Sequence, residues 1–531
     1  MRSSRVRRIA GSLKTGVALD HCWGAEEKDP ATQNRLMEGP ARGRGTSHRW
    51  ILALASGLAV SLALAGCGDQ YRPVVTPVNP TGPTSQPETF VVVTTSTGPN
   101  VPGLGNVFDG SGDTLLTQAT LGNGPLAAAM SLAGSPVINV NADGTVNSYD
   151  PSTTLMTNKV AQSTLLAQPG RQPQPYNMIA TTSNLFVDLP TAQQPAAAVL
   201  RNAGGLYQLN QELPLAASPV SFAGNYDAQR IYAISQDNGS NSVAFGDCNS
   251  PAQVTTPGEV AAIELSTVTI SGTLPVGICP VYGISSTDNL RTFILNRGSG
   301  TVTVINSQTN QLDNTPGLPN MDPATGTLTL PPPAGYTGPL PFNAGPVYAD
   351  YYQPSSELVT ANYDSDTISI INTTVDVYGN DSKLFGQTVT VPVGRGPDAL
   401  TILRDGSRVY VANQLDGTVS VVNLTTYQVE ATIPVTGHPI AISSVYSTPY
   451  AQVYVLPSDQ PYMNVIRTDT DTVTASIQLD GLGVDLHVNT QHAGVTSNPG
   501  TAAAVINVSH APGSGAPCGF GAICYSATTP P

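Results

Sequence analysis

Short runs of β-branched and aromatic residues recur along most of this chain, with polar side chains alternating into them and Gly, Pro, Asp and Asn between them. A period of two with such punctuation predicts strands joined by tight turns. The clearest stretch is 394–435, GRGPDALTILRDGSRVYVANQLDGTVSVVNLTTYQVEATIPV. It predicts four strands, at Ala399–Leu403, Arg408–Ala412, Thr418–Asn423 and Val429–Val435. The turns at 404–407 and 415–417 carry Asp-Gly, and Gly tolerates the positive φ that hairpin turns need.

The same design recurs after Pro125, Pro175, Pro219, Pro280, Pro346, Pro397 and Pro439. It is legible at 135–153, 291–311, 357–374 and 451–479, and the second unit shows it least. A repeat of about 40–50 residues with four short strands per copy predicts an all-β fold, a β-propeller of four-stranded blades. The seven units favour seven blades. Flanks at 89–121 and 481–531 hold further strand-like runs, Thr89–Thr95, Leu115–Thr120 and Ala502–Val508. These would close the ring by pairing N-terminal with C-terminal strands, or make an eighth blade, which is the alternative count.

The runs Val409-Tyr410-Val411-Ala412-Asn413 and Asp416-Gly417-Thr418-Val419-Ser420-Val421-Val422 resemble the YVTN-type β-propeller repeat. The resemblance is good over 277–480 and faint before 220. It implies four-stranded blades. The chain departs from that pattern through long insertions in units three to five.

Only 11% of the residues are charged, against about 25% in an average domain. Residues 50–66, WILALASGLAVSLALAG, follow Arg42, Arg44 and Arg49 and precede Cys67, the arrangement of a secretory signal. Leu64-Ala65-Gly66-Cys67 resembles a bacterial lipobox, which implies cleavage before Cys67 and lipid on its sulfur and amino group. Two kinds of lipid give stable anchoring where one chain is marginal. Residues 1–66 therefore read as leader and signal, with Met37 a candidate true start, and residues 67–88, rich in Pro, Thr and Gly, as a tether. The propeller is expected over 89–510, with a tail at 511–531. Gly68 follows Cys67, and by resemblance to enterobacterial sorting rules this favours the outer membrane or cell surface. The first 66 residues carry ten Lys and Arg against five Asp and Glu, so a chain at −14 overall leaves −19 on residues 67–531. A body this acidic argues against nucleic acid as a partner.

Cys248, Cys279, Cys518 and Cys524 remain after Cys67, in a compartment where disulfides persist. In a four-stranded blade the second-to-third loop and the blade-to-blade crossing share one face. Cys248 falls in such a loop of unit three and Cys279 in the crossing from unit three to unit four, which favours this pairing among the three that four cysteines allow, provided the Cα atoms come within about 7 Å. Cys518 and Cys524 would close a small loop, CGFGAIC. Neither pair has the Cys-x-x-Cys spacing of a metal site.

The loop face is the natural ligand mouth, and it offers Arg297, Asp364, Arg395, Asp398, Asp416, His438 and Asp459. The plain reading of each is a turn residue that satisfies backbone groups. Asp109–Asp113, Asp364–Asp366 and Asp469–Asp471 resemble fragments of calcium loops but lack the distal Glu, and turn use accounts for them. His487, His492 and His510 have no spacing that fixes a metal geometry. There is no Gly-x-Ser-x-Gly elbow or phosphate loop, and no metal or cofactor is expected. The expectation is a binding scaffold for a protein, glycan or small molecule. The alternatives are a lactonase-like or quinoprotein-like enzyme at the channel mouth, and a structural envelope protein.

The lipobox reading makes one direct prediction. Mass spectrometry of the mature chain should find its N-terminus at Cys67 carrying lipid, and Cys67→Ser should release the protein from the membrane fraction or leave its signal uncleaved.

Overall fold

The computed structural model describes residues 90–488 apart from 99, 111–112, 131–135, 152–159, 165–176, 182, 190–193, 226–227, 245 and 446–450. The leader, Cys67, the tether, Pro175, His492, Ala502–Val508, His510, Cys518 and Cys524 lie outside the described residues. The described residues form eight antiparallel sheets. Their innermost strands neighbour one another in a ring: Pro125–Met130, Met178–Ala180, Pro219–Ala223, Pro280–Ser285, Pro346–Tyr352, Pro397–Ile402, Pro439–Val445 and Leu482–Val488. This is an eight-bladed propeller, so the favoured count of seven is corrected to the alternative. Blades 1 to 7 follow the seven units in chain order. Blade 8 takes Phe90–Ser96, Pro102–Asp109 and Thr114–Asn123 from the N-terminal flank and Leu482–Val488 from the C-terminal one. A ring closed this way leaves no blade unpartnered. Seven units could not close it, because the eighth blade is split between the two ends of the chain.

The repeat prolines that lie among the described residues have a structural task. Six of the seven begin the inner strand of their blade. Pro397 pairs with Asn413 but Ala399 with Ala412, so Asp398 is an extra residue, a β-bulge. The same slip follows Pro125, Pro219, Pro280, Pro346 and Pro439. A strand's first position tolerates the missing N–H, and the bulge turns the chain from the crossing into the ring. Gly124, Gly345 and Gly396 precede their prolines with positive φ. Cys279 holds that position in blade 4 at φ 50°.

The second strands of blades 1, 4, 5 and 6 end in buried Asn. Asn141, Asn296, Asn362 and Asn413 are fully buried. Each donates Nδ2 to a Thr of the third strand: Thr145 at 2.9 Å, Thr301 at 3.2 Å, Thr367 at 3.0 Å and Thr418 at 3.0 Å. Each also reaches the residue two further along, and for Asn413 that is Ser420 Oγ at 2.9 Å. A buried amide left unmet would cost more than the bond gains, so Asn and Thr are kept together across the turn. This accounts for the Asn that closes the repeat.

The core lies between blades. Phe293, Leu295, Val304, Tyr351, Leu358 and Phe385, for example, pack blade 4 against blade 5. On the face away from the mouth, the start of a second strand is latched to the next blade. Arg230 donates to Ser307 O at 2.9 Å, Arg408 to Asp471 Oδ2 at 2.9 Å, and Tyr454 to Asp113 Oδ1 at 2.8 Å. The insertions foreseen in units three to five are 236–256, 313–345 and 373–387. Within the second, Met321–Asp322 and Thr327–Thr329 extend the sheet of blade 4.

Asn413→Ala removes two buried hydrogen bonds and strands their partners. It should lower unfolding free energy by about 1–3 kcal/mol, read from urea denaturation midpoints. The half-exposed Asn423 should show a smaller loss when changed the same way.

Candidate functional site

The mouth is built from second-to-third turns and blade-to-blade crossings, and six of the seven expected polar residues meet there in pairs. Arg297 follows the buried Asn296 in the turn of blade 4. Its Nη2 and Nε donate to Asp364 Oδ1 and Oδ2 of blade 5 at 2.8 and 3.0 Å. Its Nη1 donates to Cys248 O at 3.3 Å and its backbone N–H to Cys279 O at 2.9 Å. The guanidinium lies 5.6 Å from the Tyr363 ring centroid. Cys248 and Cys279 form the expected disulfide, with Cα atoms 5.6 Å apart. Arg297 thus binds the carbonyls of both half-cystines and a carboxylate of the next blade. This is a brace across blades 3, 4 and 5.

The other two pairs lie within one blade each. Arg395 Nε is 2.6 Å from Asp416 Oδ1, and its backbone N–H donates to Asp416 Oδ2 at 2.7 Å. His438 Nδ1 is 2.7 Å from Asp459 Oδ2, and its N–H donates to Asp459 Oδ1 at 2.8 Å. Blade 1 repeats the device where Asp143 accepts the N–H of Asn123 at 2.8 Å. In each case a turn carboxylate holds the crossing loop that enters its own blade. Burial alone would raise the Asp416 carboxyl. The Arg395 N–H and guanidinium overcome that and hold it below the ordinary carboxylate range. Asp416 in turn holds the Arg395 guanidinium above its usual value.

Asp398 is the exception. The sequence places it on the loop face, but it is fully buried as the bulge residue of blade 6. Leu126, Val220, Val281, Val347 and Ile440 hold that place in other blades. Gln414 Nε2 lies 3.4 Å from Asp398 Oδ2, and Gln414 Oε1 accepts the Tyr363 hydroxyl at 2.9 Å. Burial, and then Asp398, push the Tyr363 hydroxyl up, so it remains a donor. Tyr363 and Gln414 were not among the expected residues. Each follows the buried Asn of its repeat, as Arg297 does, and aligning units on that Asn would have found them.

The carboxylates of the calcium-like fragments at 364–366 and 469–471 are engaged by protein groups. Asp366 Oδ1 accepts the N–H of Gly396 at 2.9 Å, Asp471 pairs with Arg408, and Asp469 with Arg467. Among the described residues, no three His, Cys, Asp or Glu side chains are placed to hold a metal ion.

No protein-family model matches this chain, and no curated protein is similar to it. Solved structures are. The structure of apo AztD from Citrobacter koseri is similar with a TM-score of 0.51 and 11% identity, over 75% of this chain and 97% of that one. Dihydro-heme d1 dehydrogenase NirN in complex with DHE gives a TM-score of 0.50 and 11% identity, over 80% of this chain and 78% of that one. Identity this low shows the shared fold alone.

Because the folded Asp416 carboxyl is held low, its contribution to stability is present above the unfolded carboxylate pKa of about 4. It is lost as pH falls through the depressed value. Asp416→Asn should therefore be less stable than the parent at pH 7, with the gap closing toward pH 2 in urea titrations.

Proposed function

We propose that this chain is a lipid-anchored extracytoplasmic β-propeller that binds a protein, glycan or small-molecule ligand through its mouth face. The observation that carries this reading is how the face is built. Its Arg, Asp and His side chains engage one another as braces, while two insertions, 236–256 and 330–345, enlarge it. Residues 330–345, LPPPAGYTGPLPFNAG, contain no charged side chain although the body is strongly acidic. Tyr336 and Phe342 meet edge to face at 5.1 Å, and Leu340 is 77% exposed. An exposed, proline-stiffened aromatic and aliphatic loop suits recognition. The signal and lipobox support an extracytoplasmic place, and a disulfide between Cys248 and Cys279 suits that compartment.

The enzyme reading rests on one pair. Asp459 orients His438 through Nδ1, the geometry that a general base requires. Were the mouth catalytic, His438→Gln would abolish turnover of lactone or quinone-dependent substrates by the purified protein and leave ligand binding intact.

The binding reading is tested by placing a photo-crosslinking amino acid at Leu340 in living cells. A discrete adduct of reproducible mass is expected from position 340, and none from Thr474 on the outer strand of blade 7. Equal labelling at both positions would overturn it.

A further inference from the structure

The chain joins the ring on the face opposite the mouth. Phe90–Ser96 is the second strand of blade 8, and second strands run toward the mouth, so Phe90 lies at the far end. The third-to-fourth loop of blade 5, residues 373–387, opens on that same far face, between Thr367–Asn372 and Thr388–Pro392.

This loop is rigidly held. Asp376 Oδ1 accepts the N–H groups of Tyr378 at 2.8 Å and Asn380 at 2.9 Å, and Val375 bridges Asp381. Arg291 of blade 4 is 3% exposed and donates Nη2 to Asp381 Oδ1 at 2.7 Å and to Gly379 O at 3.0 Å. Its Nε lies 2.6 Å from Asp313 Oδ2, and its guanidinium lies 6.0 Å from the Phe385 ring. On this frame Val377 is 93% exposed, Tyr378 84% and Leu384 54%. Turn tips are ordinarily Gly, Asn, Asp or Ser. A tip of Val-Tyr, held in water by a buried ion pair, serves no need of the fold.

We propose that this loop inserts its apolar tip into the lipid surface to which Cys67 is anchored, so that the far face lies against the membrane and the mouth points away from it. The proposal rests on the lipid-anchor reading. Residues 68–89 can span at most roughly 70–80 Å, and they attach on the face that carries the loop, which keeps the tip within reach of the bilayer. A tether turns a contact too weak to bind alone into an intramolecular one. Val and Leu give apolar area, and Tyr suits the headgroup boundary with an apolar ring and a polar end. The Asp376 carboxylate is engaged by its own turn, and Lys383 of the same loop is exposed. A body at −19 is repelled by anionic headgroups, so the partner is a neutral, zwitterionic lipid surface entered by apolar contact.

The sequence supplies a clean test. Both tryptophans, Trp23 and Trp50, precede Cys67, so the mature chain has none. Full-length lipidated protein carrying Tyr378→Trp would be reconstituted in phosphatidylcholine–phosphatidylethanolamine vesicles, with and without brominated acyl chains. Blue-shifted emission and at least twofold quenching by bromolipid are expected, unchanged by salt. Tyr336→Trp on the mouth face should be unquenched. Val377→Trp is the second reporter if the first variant misfolds. Solvent-like, unquenched emission from protein that floats with vesicles would overturn the docking and leave the anchor standing. A blue shift without bromine quenching would place the tip against another copy of the chain and also overturn it. Absence of lipid on the Cys67 peptide by mass would remove the anchor, and the docking with it.

Discussion

Everything else in this molecule depends on the pairing of Phe90–Ser96 with Leu482–Val488. Blades stabilise one another only through their faces, and a row of blades has two bare ends. Here the two ends of the chain combine in one sheet and cover each other. The N-terminal strand carries that duty on both faces. Val91 and Val93 pack with Tyr454, Leu456 and Val465 of blade 7. Phe90 and Val92 pack with Leu121, and with Val137 and Tyr149 of blade 1. Asn139 of blade 1 adds a hydrogen bond to Thr94 at 2.8 Å. Burying such side chains is worth about 1.5–3 kcal/mol each, and all of it is lost if the strand leaves.

Within that ring, the polar residues of the repeat are structural. The Asn that ends the second strand and the Thr that opens the third recur in blades 1, 4, 5 and 6, and the turn Asp that grips the crossing loop in blades 1, 6 and 7, because those blades set the same packing problem. Individual character lies where the chain departs from the repeat. Cys279 takes the positive-φ place that Gly holds in blades 1, 5 and 6, and a disulfide with a loop of the neighbouring blade holds it there. Asp398 takes an apolar bulge position and is supported by Gln414. The insertions place an uncharged, Pro-rich loop on one face and a Val-Tyr tip on the other. A reading of function from this fold therefore rests on the departures.

The strands of blade 6 could be read nearly to the residue, because alternation and Asp-Gly turns are local. Thr418–Asn423 was expected and found with the same bounds. Blade 2 was hard to read because its central strand, AAAVLRNA, is built on Ala, which carries little strand preference. The closing strand Leu482–Val488 was missed because strands of that kind are recognised by their partners, and its partner lies almost four hundred residues earlier in the chain. Six of the seven residues expected on the loop face lie in its turns and crossings, but their pairing and the burial of Asp398 were invisible.

By itself, the sequence determined the repeating unit and the propeller architecture and favoured Cys248 with Cys279 among three pairings, since each follows from short-range periodicity and from the order in which loops alternate between faces. The tertiary structure alone decided that the blades number eight, that Arg297 meets Asp364, and that Asp398 lies inside. These depend on which side chains come together once the ring has closed. Closure is a property of the two chain ends acting at once, and no window of the sequence contains both.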